Sequence, residues 1–303
     1  MGTFRKKRLM ITGCSGNLGF PLAQLATQNH EVLGLYHNLA ISIPGVETLS
    51  LDLNSTDELV KLCGDWAPDY VIHCAALSNP NLCEENPELS FQLNVQVSKS
   101  LLAACETAQS RLIFTSTDLV FDGLEGNYSE MSRVNPTNVY GQHKRLVEEI
   151  LLGANGQHWV CRMPLMFGRN PHKESMVDGM LTKLAANESM SLFADEYRSM
   201  VSYDVAAKGI LQLVSSLDCG WQQNQSLIHL GGCESISRYE FGRQLASVFN
   251  FDAGLVLPGR QVDVPMSAHR PPDASMKSLY CSEIGFYPGS VLQQIVDMKS
   301  QDS

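Results

Sequence analysis

The chain has 303 residues, of which 44% are hydrophobic and 18% are charged, a composition typical of a globular protein with one large or two modest domains. A formal charge of -10 argues against a nucleic-acid binder, because such a protein needs a basic face to displace counterions. Nine scattered cysteines without a C-x-x-C pair predict reduced thiols in a cytoplasmic protein, and eight histidines without ligand spacing predict no metal site. The apolar run at 9–11 is too short for a signal sequence or a membrane span, so no membrane partner is expected.

Strand-like and helix-like patterns alternate through the first half of the chain. The predicted strands cover residues 8–12, 31–35, 48–51, 70–76, 111–115 and 159–162. The predicted helices cover residues 18–28, a segment that begins near 55, residues 87–108 and residues 140–152. Such alternation is typical of βαβ units with a parallel sheet, in which ligands bind outside the carboxyl ends of the strands.

Beyond Pro164 the alternation loosens. Helices are predicted at 177–187, 205–217 and 237–249, and short strands at 190–193 and 226–230. We therefore predict an α/β protein whose first domain, residues 1–165, is a Rossmann-type doubly wound parallel sheet. Residues 166–303 are expected to form mainly a smaller C-terminal α/β substrate domain, with a segment near 203–230 that returns to the sheet.

A glycine-rich turn follows the first predicted strand. Gly13, Gly16 and Gly19 have G-x-x-G-x-x-G spacing between that strand and a helix. Glycines there allow a tight turn and let backbone N–H groups approach a pyrophosphate at the helix N-terminus. The turn predicts a dinucleotide site, and the alternative is a strand–helix turn that binds nothing.

The end of the second predicted strand bears on the choice of cofactor. An acidic residue at this position usually binds the 2′-hydroxyl of NAD, and the stretch 34–38 contains none. His37 and Asn38 can instead donate hydrogen bonds to a 2′-phosphate, so we predict NADPH, with NADH as the alternative. Asp52, at the end of the third strand, is predicted to contact the adenine; its other interpretation is a turn or capping residue.

A tyrosine and a lysine four residues apart begin the helix predicted at 140–152. At this spacing Tyr140 and Lys144 share one helix face. A phenol with a pKa near 10 is a poor base, and a neighbouring ammonium is expected to lower that pKa. Thr117, at another strand end, can hydrogen-bond the same substrate oxygen. We predict that Tyr140 donates a proton to a carbonyl oxygen as the carbon accepts hydride.

Several segments together resemble a known family. Ser116–Gly123 is similar to an S-T-D-x-V-F segment, and Pro136–Lys144 to a P-x-N-x-Y-G-x-x-K segment. Asp195–Ser199, Ser237–Glu240 and Arg270–Asp273 fit as well. These segments resemble the extended short-chain dehydrogenases/reductases, and within them the dTDP-4-dehydrorhamnose reductase group.

The resemblance implies an NADPH-dependent reduction of the 4-keto group of a nucleotide-linked deoxysugar, as in dTDP-rhamnose biosynthesis. It implies three catalytic residues, namely Thr117, Tyr140 and Lys144. Cofactor contacts are implied for Gly16, Asn17, Leu18, Asp52, Leu53, Ala75, Ala76, Ser78, Tyr140 and Lys144. Sugar contacts are implied for Thr117 and Asp118.

The chain departs from that group around the expected sugar pocket. Leu165 stands where the reductases often have a tryptophan, and the loop after Ala76 has an unusual sequence. These departures leave the sugar unidentified. Arg198 and Arg270 are candidate contacts to a substrate diphosphate, because guanidinium binds phosphate in a bidentate manner. Both could equally be partners in structural salt bridges.

Two other functions compete with a reductase. An epimerase or dehydratase of the same superfamily is one, although a dehydratase is expected to carry an acid pair and Leu119 follows Asp118. A similar fold also serves as the NADP-binding regulatory subunit of methionine adenosyltransferase. Such a subunit has no need of a catalytic threonine, tyrosine and lysine, and their presence favours catalysis. A homodimer is left open.

Overall fold

The computed structural model describes residues 5–154 and 158–301. The strands are β1 (Arg8–Thr12), β2 (Glu31–Tyr36), β3 (Glu47–Ser50), β4 (Tyr70–His73), β5 (Arg111–Thr117), β6 (Trp159–Met163), β7 (Met166–Phe167), β8 (Met190–Phe193), β9 (Tyr197–Arg198), β10 (Val201–Ser202), β11 (Leu227–His229), β12 (Ile236–Ser237) and β13 (Val256–Gly259). The α-helices are α1 (Gly19–Ala26), α2 (Thr56–Trp66), α3 (Pro80–Glu85), α4 (Pro87–Phe91), α5 (Val97–Thr107), α6 (Val139–Leu152), α7 (Met176–Ala185), α8 (Tyr203–Asp218), α9 (Arg238–Val248) and α10 (Val291–Gln301).

Seven parallel strands form one sheet, in the order β11-β6-β5-β4-β1-β2-β3. Successive side chains of a strand point to opposite faces, so each strand feeds two cores. In β1, Leu9 and Ile11 pack on the face covered by α1 and α8, whereas Met10 packs on the face covered by α2, α5 and α6. Burial on both faces explains the nearly continuous apolar strands. The predicted Rossmann-type α/β class is confirmed.

A second, smaller lobe follows β6. Three two-stranded sheets pair β7 with β10, β9 with β12, and β8 with β13. Its core packs side chains of α7, α9 and α10 against these strands. Between these elements the chain returns to the large sheet, where α8 packs against α1 and β11 pairs with β6.

The long helix predicted at 87–108 is confirmed as an unbroken helical stretch, but it is not a regular α-helix throughout. A π-helical turn, Gln92–Gln96, separates α4 from α5. The turn places Asn94 so that its side-chain oxygen accepts from Leu77 N at 2.9 Å and its nitrogen donates to Leu77 O at 3.1 Å. Apolar spacing does not distinguish one wide turn from a regular helix, so periodicity missed it.

Across residues 5–154 and 158–301, the structure has no helix that combines the length and the apolar character needed to cross a membrane.

Candidate active site

A cavity of about 960 Å³ opens at the carboxyl ends of the large sheet, where a ligand is expected in this architecture. The predicted site residues that line it are Gly13, Gly16, Asn17, Leu18, Gly19, His37, Leu53, Ala75, Ala76, Ser78, Thr117, Asp118, Tyr140, Lys144, Leu165, Arg198 and Arg270. The topology thus brings together residues that lie far apart in the chain.

The glycine turn is shaped for close approach of backbone to a ligand. Gly13 has a φ of +69°, and a side chain there would place Cβ 2.8 Å from Ala75 N. A Cβ on Gly19 would lie 2.2 Å from Gly13 O. Neither position can carry a side chain without rearrangement. The turn is thus tightly packed at the start of α1, and Gly16, Asn17 and Leu18 line the cavity there, at a helix N-terminus of the kind that binds a pyrophosphate.

The residues predicted to contact the adenosine half of the cofactor do not all line the cavity. His37 and Asn38 line the cavity beyond β2, as does Leu53. Asp52 is not among the lining residues, and its carboxylate accepts hydrogen bonds from the backbone and side chain of Asn54 at 3.0 and 2.9 Å. These bonds hold the pKa of Asp52 below its usual range. This geometry is that of a turn residue, and an adenine contact through Asp52 stays a prediction.

Lys144 is a buried cation on the tyrosine helix. Its side chain is 2% exposed, and Nζ donates to Thr115 O at 2.8 Å. Nζ also lies 4.4 Å from the centre of the Phe114 ring and 5.8 Å from the centre of the Tyr140 ring. Burial lowers the pKa of Lys144 to about 8, while Cys74 and Glu148 act in the opposite direction. The ammonium is thus held in place next to the phenol, but it loses its proton at a lower pH than an exposed lysine does.

The expectation that Lys144 lowers the pKa of Tyr140 was wrong for the protein alone. Burial raises the pKa of the Tyr140 phenol well above its ordinary value, and Cys83 and Asp118 add to the rise. Desolvation of the phenolate outweighs an ammonium that is already bonded to a carbonyl. The phenol is therefore protonated at neutral pH, which is the state that a proton donor requires.

Thr117 and Asp118 stand at the end of β5, beside the phenol. Thr117 Oγ1 donates to Asp118 Oδ1 at 3.2 Å and accepts from Leu119 N at 3.2 Å. Asp118 is 3% exposed, and burial raises its pKa to about 6 even though Arg198 Nε lies 3.3 Å from its Oδ2. A hydroxyl and a buried, arginine-paired carboxyl group thus line the cavity next to each other.

The two candidate diphosphate ligands differ in availability. Arg198 is 2% exposed and pairs with both Asp118 and Glu196, so most of its guanidinium serves the structure. Arg270 Nη2 donates to the neutral Asn81 Oδ1 at 3.3 Å, and burial lowers its pKa. Arg270 is the better placed of the two to accept an anion.

Sequence reasoning missed several lining residues. Arg238 Nε lies 3.2 Å from Glu196 Oε2 at the cavity wall, and Lys173 and Asn81 also line the cavity. Tyr203 accepts a hydrogen bond from Asn17 Nδ2 at 3.0 Å, beside the glycine turn. Arg238 was visible only as the residue after a capping serine. Nothing in the local sequence pattern distinguishes it from a surface arginine.

A parallel sheet that carries this glycine turn, together with a tyrosine and a lysine at its carboxyl edge, defines an extended short-chain dehydrogenase/reductase. The sequence pattern of the RmlD substrate binding domain matches residues 7–298, and the chain belongs to that family. The resemblance stated from the sequence is confirmed.

Two of the relatives found have quite different descriptions. The chain is 28% identical over 266 residues to a probable low-salt glycan biosynthesis reductase of Haloferax volcanii, with 86% of each chain covered. It is 31% identical over 260 residues to the methionine adenosyltransferase 2 subunit beta of Xenopus laevis, with 84% of this chain and 76% of the relative covered. Family membership alone therefore does not separate a reductase from a regulatory subunit.

Solved structures share the fold over nearly the whole chain. A hypothetical dTDP-4-dehydrorhamnose reductase from Sulfolobus tokodaii is 29% identical, with a TM-score of 0.81 over 94% of this chain and 98% of that one. A dTDP-4-dehydrorhamnose reductase from Bacillus anthracis, solved in complex with NADP, has a TM-score of 0.86 over 98% of this chain and 99% of that one. At 22% identity, the second likeness establishes the fold.

Proposed function

We propose that the protein is an NADPH-dependent reductase of the 4-keto group of a nucleotide-linked deoxysugar, a cytoplasmic enzyme of the dTDP-rhamnose type. One observation carries the proposal. Thr117, Tyr140 and Lys144 line one cavity together with a glycine turn that admits a dinucleotide. The family and the solved structures of similar fold together indicate a reductase-type oxidoreductase.

The cofactor assignment rests on the family and on the cavity. Members of the family use NADPH, in agreement with the prediction from the sequence. In this proposal the turn at Gly13–Gly19 binds the pyrophosphate, and His37 and Asn38, which line the same cavity, bind the 2′-phosphate. Lys144 would hold the nicotinamide ribose. When bound, this cofactor supplies the hydride.

The side chains then perform the proton chemistry. Tyr140 donates its phenolic proton to the carbonyl oxygen while the carbon gains hydride, so that C=O becomes CH–OH. Thr117 holds the same oxygen by a hydrogen bond. Lys144 offsets the negative charge left on the phenolate, which a buried tyrosine could not carry unaided. Arg270 binds the diphosphate of the substrate, and Leu165 contacts the sugar.

The second candidate is an NADP-binding regulatory subunit. It is favoured by the 31% identity to a methionine adenosyltransferase 2 subunit beta. The retained threonine, tyrosine and lysine favour the reductase instead. An epimerase or dehydratase of the superfamily would regenerate its cofactor in each cycle, so consumption of NADPH separates it from a reductase.

The deciding experiment is a steady-state screen of NADPH and NADH against a panel of nucleotide-linked 4-keto sugars. We expect one NADPH to be oxidised for each sugar reduced, with NADPH used in preference to NADH. Tight NADPH binding without turnover across the panel would contradict the proposal and favour a regulatory subunit. Turnover of sugar without net NADPH oxidation would favour an epimerase or dehydratase.

A further inference from the structure

A segment of the smaller lobe runs along the wall of the cavity beside the tyrosine helix. Residues 267–272, here called the strap, carry Arg270 at the cavity wall. The first half of the strap is bound to the large lobe. Ala268 N donates to Asn81 Oδ1 at 3.2 Å, and the His269 ring nitrogen Nδ1 lies 2.9 Å from Thr137 Oγ1.

Asn138 joins the strap to the start of α6. Its Oδ1 accepts from Gly141 N at 2.8 Å and so caps the helix. Its Nδ2 donates to His269 O at 3.0 Å. The residue is 1% exposed, so water cannot readily replace either bond. The side-chain amide of Asn138 therefore links two elements, because its oxygen bonds the helix and its nitrogen bonds the strap.

Helix α3 completes this junction. Glu84, in α3, accepts from Val139 N at 3.0 Å through Oε2, at the start of α6. Asn81, in the same helix, accepts from the strap. Tyr140 is two residues beyond Asn138, in the turn that these bonds hold. The position of the phenol thus depends on contacts made by three separate elements.

The other end of the strap reaches the threonine side of the site. Pro271 O accepts from Arg198 Nη1 at 3.0 Å, and Arg198 pairs with Asp118, next to Thr117. Tyr197 N donates to Pro272 O at 2.7 Å. The strap is therefore bonded at one end near the tyrosine and at the other near the threonine, with Arg270 between them.

We propose that Asn138 is a positioning residue that fixes Tyr140 relative to the strap, so that a substrate held by Arg270 meets the phenol at a set distance. The inference rests on the proposed function. Its magnitude follows from the steep dependence of catalysis on geometry, since a misplacement of about 1 Å can cost on the order of 100-fold in rate.

Two substitutions test the hydrogen bond from Asn138 to the strap independently of its helix-capping bond. Asn138→Asp and Asn138→Ser both keep an oxygen that can accept from Gly141 N, because aspartate and serine cap helices about as well as asparagine. Neither can donate to His269 O as the amide does, and the aspartate would place a carboxylate against that carbonyl. If Asn138 served only as a cap, Asn138→Asp would behave as wild type or better, since a negative charge suits a helix N-terminus.

We expect kcat to fall by about 10- to 100-fold in Asn138→Asp and by less in Asn138→Ser, with the NADPH Kd within about twofold of wild type. The affinity for dTDP should fall by about tenfold in Asn138→Asp, because Arg270 moves with the strap. The matched control is Thr137→Val, which removes the neighbouring strap contact from His269 Nδ1 without touching the helix cap. That variant should retain kcat within about threefold.

Amide hydrogen exchange tests, without any measurement of catalysis, whether Asn138 holds the strap. In Asn138→Asp the Ala268 amide should exchange at least about tenfold faster than in wild type, while the Gly141 amide stays protected. Unchanged exchange at Ala268, or a kcat and a dTDP affinity equal to wild type, would overturn the inference. If the wild-type protein reduces none of the keto sugars, the proposed function fails on its own, and dTDP affinity together with exchange still decides whether Asn138 holds the strap.

Discussion

Lys144 and Tyr140 are both buried, and burial disfavours the charged form of each side chain. Burial lowers the pKa of the lysine to about 8 and raises that of the tyrosine. The two shifts act together, because a neutral phenol and a charged ammonium coexist only below the lysine pKa. Near neutral pH, Tyr140 is therefore protonated, as the proposed proton donor has to be, and Lys144 carries the charge that would stabilise the phenolate in the proposed reaction.

The pH dependence of turnover follows from these shifts. Lys144 is charged below its pKa of about 8 and becomes neutral as pH rises through that value. We expect kcat/KM, which reports groups of the free enzyme, to fall by up to about tenfold for each pH unit above 8. Rates measured between pH 6 and 10 check this, with Lys144→Arg, which stays charged, expected to lack the alkaline fall. A wild-type profile that is level to pH 9.5 would contradict it.

Removing the phenolic hydroxyl tests the proton donor. Tyr140→Phe should lower kcat by at least about 100-fold, the scale of a general-acid contribution, while NADPH binding stays nearly intact. Tyr70→Phe is the control, because Tyr70 is equally buried and its hydroxyl donates to Asp218 at 2.7 Å, at the opposite end of the sheet. Wild-type turnover in Tyr140→Phe would exclude this residue as the donor.

At this scale the sequence identifies residue types but not their environments. Spacing and neighbouring segments were enough to single out Tyr140, Lys144 and Thr117. The direction of the Tyr140 pKa was not predictable, since it depends on desolvation by elements that are distant in the chain. Arg198 shows the same limit, because its two carboxylate partners come into contact only through the fold.

At the scale of elements, α6 is pressed unusually close to the loop that follows β5. A Cβ on Gly141 would lie 2.1 Å from Leu119 O. This contact brings the tyrosine helix against the segment that carries Thr117. The close packing of the two elements depends on a residue without a side chain, one position after Tyr140.

A pair of glycine substitutions tests this contact. Gly141→Ala should lower the free energy of unfolding by about 1–3 kcal/mol or more, the cost of overpacking, and should reduce turnover by displacing Tyr140. Gly64→Ala lies on the exposed side of α2, with no neighbouring atom within 4 Å of the new Cβ. This variant should raise the free energy of unfolding by about 0.5–1 kcal/mol. Urea denaturation measures both, and equal stability of Gly141→Ala and wild type would refute the predicted clash.

The elements themselves were predictable where their pattern was regular. The strand at 190–193 and the capped helix after Ser237 lie where periodicity and the capping box put them. Helix α3, with only six residues, was missed, because one and a half turns leave no periodic signal. Its Asn81 and Glu84 nevertheless hold the strap and the tyrosine helix.

At the scale of the whole molecule, the cavity is built from both lobes. The lobe of the large sheet supplies the glycine turn and the proposed catalytic residues Thr117, Tyr140 and Lys144, and the smaller lobe supplies Leu165, Arg198 and Arg270. The parallel sheet followed from the βαβ alternation, but the order of its strands did not. The strand pairing of the smaller lobe was not predictable either, since its two-residue strands carry no sequence period.

Cofactor binding should therefore stabilise the folded chain. At a concentration 100 times its Kd, NADPH should raise the free energy of unfolding by about 2.7 kcal/mol, because it binds only the folded protein. Thermal unfolding with and without NADPH measures the shift, and NADH at the same concentration is the comparison. A melting temperature that NADPH leaves unchanged would contradict a dinucleotide site at the glycine turn.

The π-helical turn at Gln92–Gln96 makes this part of the chain sensitive to changes in length. Removing one residue there would restore a regular α-helix. The part of the helix before the deletion would then rotate by about 100° and shift by about 1.5 Å relative to α5. Asn94 would then no longer present its amide to both backbone groups of Leu77, next to Ala75 and Ala76. Substitutions on the outer face of this helix should be tolerated in homologues, whereas a one-residue deletion should disorganise the loop that lines the cofactor cavity.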